Sequence, residues 1–200
     1  MQLARVRAFA KVARGDVHPP VLEAMLDGRK VPDGLAVDTD LRWALIAALA
    51  ALGRVGDAAV DAELARDDTA RGRQHALQTR AAMPDAARKE WAWLAAMHDP
   101  ALSNHETSFL AAGFRQPGQD ELLRPYVDRY IAELPDTWAA RTPQVAASLA
   151  SSLFPAVLVE QEVLDATAVL LDAQHPDGLR RLVAEQRDDL GRALRARAAV

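Results

Sequence analysis

Asp38-Thr39-Asp40-Leu41-Arg42-Trp43-Ala44-Leu45-Ile46-Ala47-Ala48-Leu49-Ala50-Ala51-Leu52-Gly53 decides the fold class. Leu41, Leu45, Ala48, Leu49 and Leu52 recur at helical spacing, and Trp43, Ile46 and Ala50 cover a second side. A helix that is apolar nearly all round must be enclosed by neighbours, so this segment is predicted to lie in the interior. The helix is expected to run from Asp38 to Gly53.

The same signal spreads in both directions. Leu3, Val6, Phe9 and Ala10 form a stripe ending near Gly15, and Pro19-Pro20 start a second helix that runs to about Gly28. Residues 29–37 read as a loop. Further helices are expected over Asp57–Arg66, Thr69–Ala82 and Pro84–His98, the last with Trp91, Leu94 and His98 on one face and Trp93 and Met97 on the next. Ser103-x-x-Glu106 is a capping-box pattern opening a helix that ends near Gly113. Pro117-Gly118 opens another, which Pro125 should kink or break by removing a donor and crowding the preceding turn. Thr142-Pro143 reads as a cap followed by proline at the first helical position. Helices over Glu160–Asp172 and Pro176–Ala196 complete about eleven.

Strongly apolar helices recur near residues 45, 76, 109, 148 and 187, about 31 to 39 residues apart. Two helices per period is the arrangement of HEAT- or armadillo-like hairpins stacked into an arc. The expected fold is therefore all-α, as stacked antiparallel helical hairpins in a curved array, with an orthogonal bundle as the alternative. No linker or low-complexity run divides residues 1–200, which read as one domain. Alanine makes up about a fifth of the chain, and aromatic residues are only 5%, which disfavours strands. The first helix starts two residues after Met1 without a capping residue, as a fragment cut from something larger would.

Net charge is −4, from 24 basic and 28 acidic residues spread along the chain. That balance argues against nucleic-acid binding, which needs a concentrated basic face. The final segment holds Arg180, Arg181, Arg187, Arg192, Arg195 and Arg197, but Glu185, Asp188 and Asp189 interleave to give a solvated face. The absence of cysteine excludes disulfides and thiolate chemistry and suits a reducing, cytoplasmic setting. No apolar run approaches the ~20 residues a membrane span needs.

The search for chemistry finds no catalytic, cofactor-binding or metal-binding residue. A helical zinc site wants two histidines at i and i+4. His105-Glu106-Thr107-Ser108-Phe109 begins that pattern but ends in phenylalanine, so His105 and Glu106 read as first-turn residues of a capped helix. His98 is expected as a hydrogen-bonded residue on an apolar face, and His18 and His175 as surface residues at helix entries. Asp67-Asp68 and Asp188-Asp189 read as solvated pairs. The tryptophans read as core fillers, with Trp138, near a Pro135-Asp136 turn, the one considered for ligand stacking.

Several segments nevertheless occur in a familiar order: residues 35–43, Leu-Ala-Val-Asp-Thr-Asp-Leu-Arg-Trp; residues 89–93, Lys-Glu-Trp-Ala-Trp; and residues 112–119, Ala-Gly-Phe-Arg-Gln-Pro-Gly-Gln. Leu122-Leu123-Arg124-Pro125-Tyr126 through Tyr130, then Trp138, Leu153-Phe154-Pro155 and Arg187-Asp188-Asp189-Leu190 continue it. Together they resemble the C-terminal region of the bacterial aminopeptidase N family of zinc metallopeptidases, over essentially the whole chain. The resemblance implies a HEAT-like arc that follows a thermolysin-like catalytic domain and closes over its active site, limiting entry to peptides. It places the HExxH zinc site and the amino-terminus-binding motif in that upstream domain, so zinc is expected there and no cofactor here. The implied partners are that domain and peptide substrates, with no nucleic acid and no membrane. A basic side chain on the concave surface could attract a peptide carboxylate. The alternatives are a free-standing helical-repeat scaffold for protein interaction and, more remotely, a small metal-independent enzyme.

Overall fold

In the computed structural model, which describes residues 2–172 and 174–199, all regular structure is helical: α1 (Gln2–Val12), α2 (Pro19–Leu26), α3 (Thr39–Ala51), α4 (Asp57–Arg66), α5 (Ala70–Ala82), α6 (Ala86–His98), α7 (Asn104–Phe114), α8 (Asp120–Leu123), α9 (Tyr126–Ala140), α10 (Pro143–Ser152), α11 (Gln161–Ala166), α12 (Val169–Asp172) and α13 (Asp177–Ala198). The starts have local causes. The Asp38 carboxylate accepts from the Leu41 amide at 2.8 Å, Thr69 from Gly72 at 3.0 Å and Asp85 from Arg88 at 2.9 Å. Each satisfies a first-turn donor that the helix itself cannot. The Ser103–Glu106 capping box is present in both directions. Thr142 departs from expectation: Pro143 stands at the first helical position, but the Thr142 side chain makes no cap bond.

The helices stack as a HEAT-like two-layer array. One layer is a ladder in which α1, α3, α5, α7, α10 and α13 each pack on the next. The other is built from α2, α4, α6, α9 and α11, each packed against ladder helices adjacent in sequence. The five apolar helices whose recurrence suggested a repeat are the ladder from α3 to α13. The largest core cluster runs through the C-terminal half around Trp93, Leu110, Tyr130, Leu149 and Val183. A second joins α1, α2 and α3 through Val6, Leu22, Leu41, Leu45 and Leu49, and Trp43 anchors a third with Val60 and Ala76.

Polar side chains tie the ends of ladder helices together. Lys89, wholly buried on α6, donates to the Ala81 carbonyl at 2.7 Å and the Phe114 carbonyl at 3.0 Å, near the C-termini of α5 and α7. The buried Gln119 amide donates to the Ala51 and Ala82 carbonyls, at the ends of α3 and α5. Terminal carbonyls lack intrahelical partners, so these side chains replace water where water is excluded. Arg42 grips Glu63 with two bonds of 2.7 Å, and the Trp43 indole donates to Asp67 at 2.8 Å.

Four expectations change. The segment opened by Pro117-Gly118 becomes helical only at Asp120, because Gln119 turns inward to cap other helices. Pro125 then breaks it as expected, separating α8 from α9. α7 ends at Phe114, next to Gly113 as expected, and Gly113 has a further purpose: a Cβ there would lie 2.1 Å from the Gln78 carbonyl oxygen, so glycine permits the close crossing of α5 and α7. Glu160–Asp172 is two short helices, interrupted after Ala166, where the Thr167 hydroxyl bonds back to the Val163 and Leu164 carbonyls. Pro135 and Asp136 form no turn: α9 runs through them to Ala140, and Trp138 lies against the first turn of α13 at Gly178. On α6 the buried face is Lys89, Ala92, Trp93, Ala96 and Met97, which leaves Leu94 and His98 exposed.

Candidate functional site

A groove of about 600 Å³ runs along the ladder, walled by α1, α3, α5 and α7. This size is typical of small-ligand sites. Its floor exists because α3 presents Ala44, Ala47, Ala48 and Ala51 there, at the i, i+3, i+4, i+7 spacing that shares one helix face. Leu41, Leu45, Ile46 and Leu49 of α3 point elsewhere into the core. Ala82 and Ala112 extend the floor across α5 and α7.

In its lining Trp43 and His75 stack, with ring centroids 5.8 Å apart and planes 20° from parallel. Phe109 meets the other side of His75 edge-on at 5.2 Å. Burial, then the neighbouring Arg71 charge, push the His75 imidazole below its ordinary pKa, so it is neutral at pH 7. Its Nε2 is buried without a protein partner. The rim is basic. Arg7, Lys11 and Arg14 come from α1 and the turn after it, Arg71 comes from α5, and Asp40 is the one carboxylate among them.

A smaller hollow of about 300 Å³ is lined by Met97, His98, Glu133 and Arg141, among others. Here Glu133 accepts from Trp93 Nε1 at 2.8 Å, His98 Nε2 at 2.9 Å and Arg129 Nε at 2.7 Å. These bonds hold Glu133 below the usual carboxylate range despite its partial burial. Arg129 also lies over the rings of Trp93 and Tyr126, which makes the cluster a brace between α6 and α9.

The residues singled out from sequence remain apart. His105 is exposed, and Glu106 is held by Ser103, whose bonds lower its pKa. His98 is a partner of Glu133 on an exposed edge, not a residue of an apolar face. His18 is half-buried, accepts the Arg14 amide at 2.8 Å and meets the Phe9 ring edge-on. Asp67 is more than a solvated residue, since it receives the Trp43 indole; Asp188 and Asp189 both pair with Arg192 on the surface. Among the described residues no three His, Cys, Asp or Glu side chains are placed to share a metal ion. No described helix is long and apolar enough to cross a membrane. Nothing in the sequence marked the groove's cations; of its lining, Asp40, Trp43, Ala112, Gln116 and Pro117 stood out only within motifs, and Ala10 and Ala48 only within apolar stripes. The alanine face of α3 was the available sign, but alanine fits a buried face and an open one equally well.

Residues 1–192 match the family model described as ERAP1-like C-terminal domain. The chain is also 46% identical over 199 residues to an aminopeptidase N of Streptomyces lividans. That similarity covers 99% of this chain but 23% of the relative, so the chain spans about a quarter of the length of the protein it matches.

Proposed function

Because the chain belongs to the ERAP1-like C-terminal domain family, we propose that it is the non-catalytic helical domain of a zinc aminopeptidase, and that its groove forms part of the wall that limits which peptides reach the active site. In this reading residues 1–200 are one domain. The catalytic zinc is held upstream in the same polypeptide, in a cytoplasmic enzyme that removes N-terminal residues from peptides. The carrying observation is that the full-length match to a quarter of an aminopeptidase N coincides with a ladder whose groove of about 600 Å³ could hold a short stretch of chain.

The test is a full-length enzyme carrying this domain with Ala48→Trp, which fills the groove floor. Hydrolysis of a single-residue chromogenic amide should be unchanged, while kcat/KM for a ten-residue peptide falls about tenfold, equivalent to ~1.4 kcal/mol. Equal effects on both substrates, or none on either, would remove the groove from peptide selection.

A further inference from the structure

The groove carries a charge imbalance opposite in sign to the whole chain. Overall the protein is at −4, yet around the groove Arg7, Lys11, Arg14 and Arg71 face one carboxylate, Asp40. Four cations less one anion leave an excess of three positive charges. Asp40 is shared at long range, 3.8 Å from Arg7 Nη2 and 3.5 Å from Arg71 Nε, so it neutralises neither fully. Arg14 turns its Nη1 onto the Lys11 and Ala13 carbonyls at the end of α1, which fixes the guanidinium without cancelling its charge. A guanidinium has five donors, so others remain for an incoming acceptor. Among the described residues Lys11 pairs with no carboxylate.

A concave surface lined by one sign of charge, over a low-dielectric floor, concentrates its field in the hollow. Here the floor is alanine and aromatic ring, which offers contact to apolar atoms, and the other polar residues of the lining, Gln78, His75 and Gln116, are uncharged. A ligand matched to both features has an extended, uncharged backbone and negative groups projecting sideways. We propose that this groove binds extended peptide segments bearing Asp or Glu side chains, whose carboxylates engage Lys11 and Arg14 on the α1 edge and Arg71 on the α5 edge. The inference rests on the reading of the domain as a chamber wall and names the class of peptide that the wall retains.

A free C-terminal carboxylate shares this chemistry, so the assay separates the two sources. The 200-residue chain is titrated against fluorescein-labelled alanine-based decapeptides carrying two Glu or two Gln residues, each with a free or an amidated C-terminus, and anisotropy is read at low and moderate salt. The Glu peptide should bind about tenfold tighter than the Gln peptide at low salt, and the preference should shrink as salt screens exposed charges. Amidation should change affinity less than about twofold. Lys11→Gln with Arg71→Gln should abolish the preference; both side chains are exposed, and circular dichroism checks that the fold is kept. Asp40→Asn should tighten the Glu peptide, since it frees Arg7 and Arg71. Arg181→Gln with Arg192→Gln on the remote α13 serves as the control and should change nothing.

Equal binding of Glu and Gln peptides overturns the proposal, as does a preference set by the C-terminus alone, or equal losses from the groove and α13 variants. Binding to the chain requires no hydrolysis, so these outcomes stand apart from the length selectivity that tests the chamber reading.

Discussion

Replacing Lys89 with methionine should flatten the pH dependence of stability. Lys89 is 0% exposed, its Nζ meets only the Ala81 and Phe114 carbonyls, and it sits 5.7 Å from the centroid of the Phe114 ring. Helix-end carbonyls favour the charged ammonium, but with no carboxylate in contact the loss of water dominates and pushes its pKa from near 10.5 down to about 7. Between those values the unfolded chain binds more protons than the folded one, so stability must rise with pH across that window. From about pH 7 to about pH 9 nearly one proton separates the two states, and at ~1.4 kcal/mol per pH unit the gain is about 2 kcal/mol. The window stops near 9 because burial raises Tyr130, and raises Tyr126 to about 12, so both stay protonated when folded and reverse the slope at higher pH. His75, with its lowered pKa, is already neutral at pH 7 and contributes no slope. Methionine keeps the reach of the side chain without an ionisable group. It loses two hydrogen bonds worth about 1 kcal/mol each but removes a buried charge, so its stability near pH 7 should lie within about 2 kcal/mol of the parent. Urea unfolding followed by tryptophan fluorescence at several pH values gives both slopes. Parallel slopes for parent and variant would refute the argument, because the ammonium would then be paired or hydrated in the fold.

Two further substitutions probe the joints of the array. Gly113→Ala should destabilise by about 3 kcal/mol or more, since the new methyl would sit 2.1 Å from the Gln78 carbonyl oxygen and must push α5 and α7 apart; a loss below ~0.5 kcal/mol in urea unfolding would show that the crossing is not tight. Arg42→Met should cost about 3 kcal/mol by stranding the Glu63 carboxylate, whose side chain is 3% exposed, and adding Glu63→Gln should recover part of that loss. A double variant no more stable than the single one would place the cost in lost arginine packing.

The ladder was legible because its helices are periodic and separated by residues that cap or stop them. Asp38, Thr69 and Ser103 act as caps where the sequence places them, and the apolar recurrence near residues 45, 76, 109, 148 and 187 falls on α3, α5, α7, α10 and α13. What was not legible depended on which neighbour each face meets. Gly113 in isolation resembles a helix stop, and only the proximity of Gln78 gives it another purpose. Trp91, Leu94 and His98 form as good a stripe as Trp93 and Met97, and the choice between them follows from Lys89 reaching the ends of α5 and α7 from the same face. The groove was hidden for a related reason: its cations come from α1 and α5, more than fifty residues apart, and become a site only when α3 lies between them.

The segments that carry the family resemblance serve structure. Asp38 starts α3, Arg42 and Trp43 fasten it to Glu63 and Asp67, Lys89 and Gln119 close the ends of α3, α5 and α7, Gly113 permits the α5–α7 crossing, and Tyr130 donates to the Ala150 carbonyl. Each sits where a change would strand a buried polar group or open a packed crossing, at a cost of kilocalories. Arg7, Lys11, Arg14 and Arg71 lie outside those segments, on an accessible rim where a substitution typically costs within about 0.5 kcal/mol. The determinants of shape and of charge are thus nearly separate sets of residues that meet at Asp40, which stands in the first turn of α3 and between Arg7 and Arg71. The same ladder can therefore present an acidic, neutral or basic groove without loss of fold, so membership of the family does not by itself fix the charge of the groove, and the rim residues do.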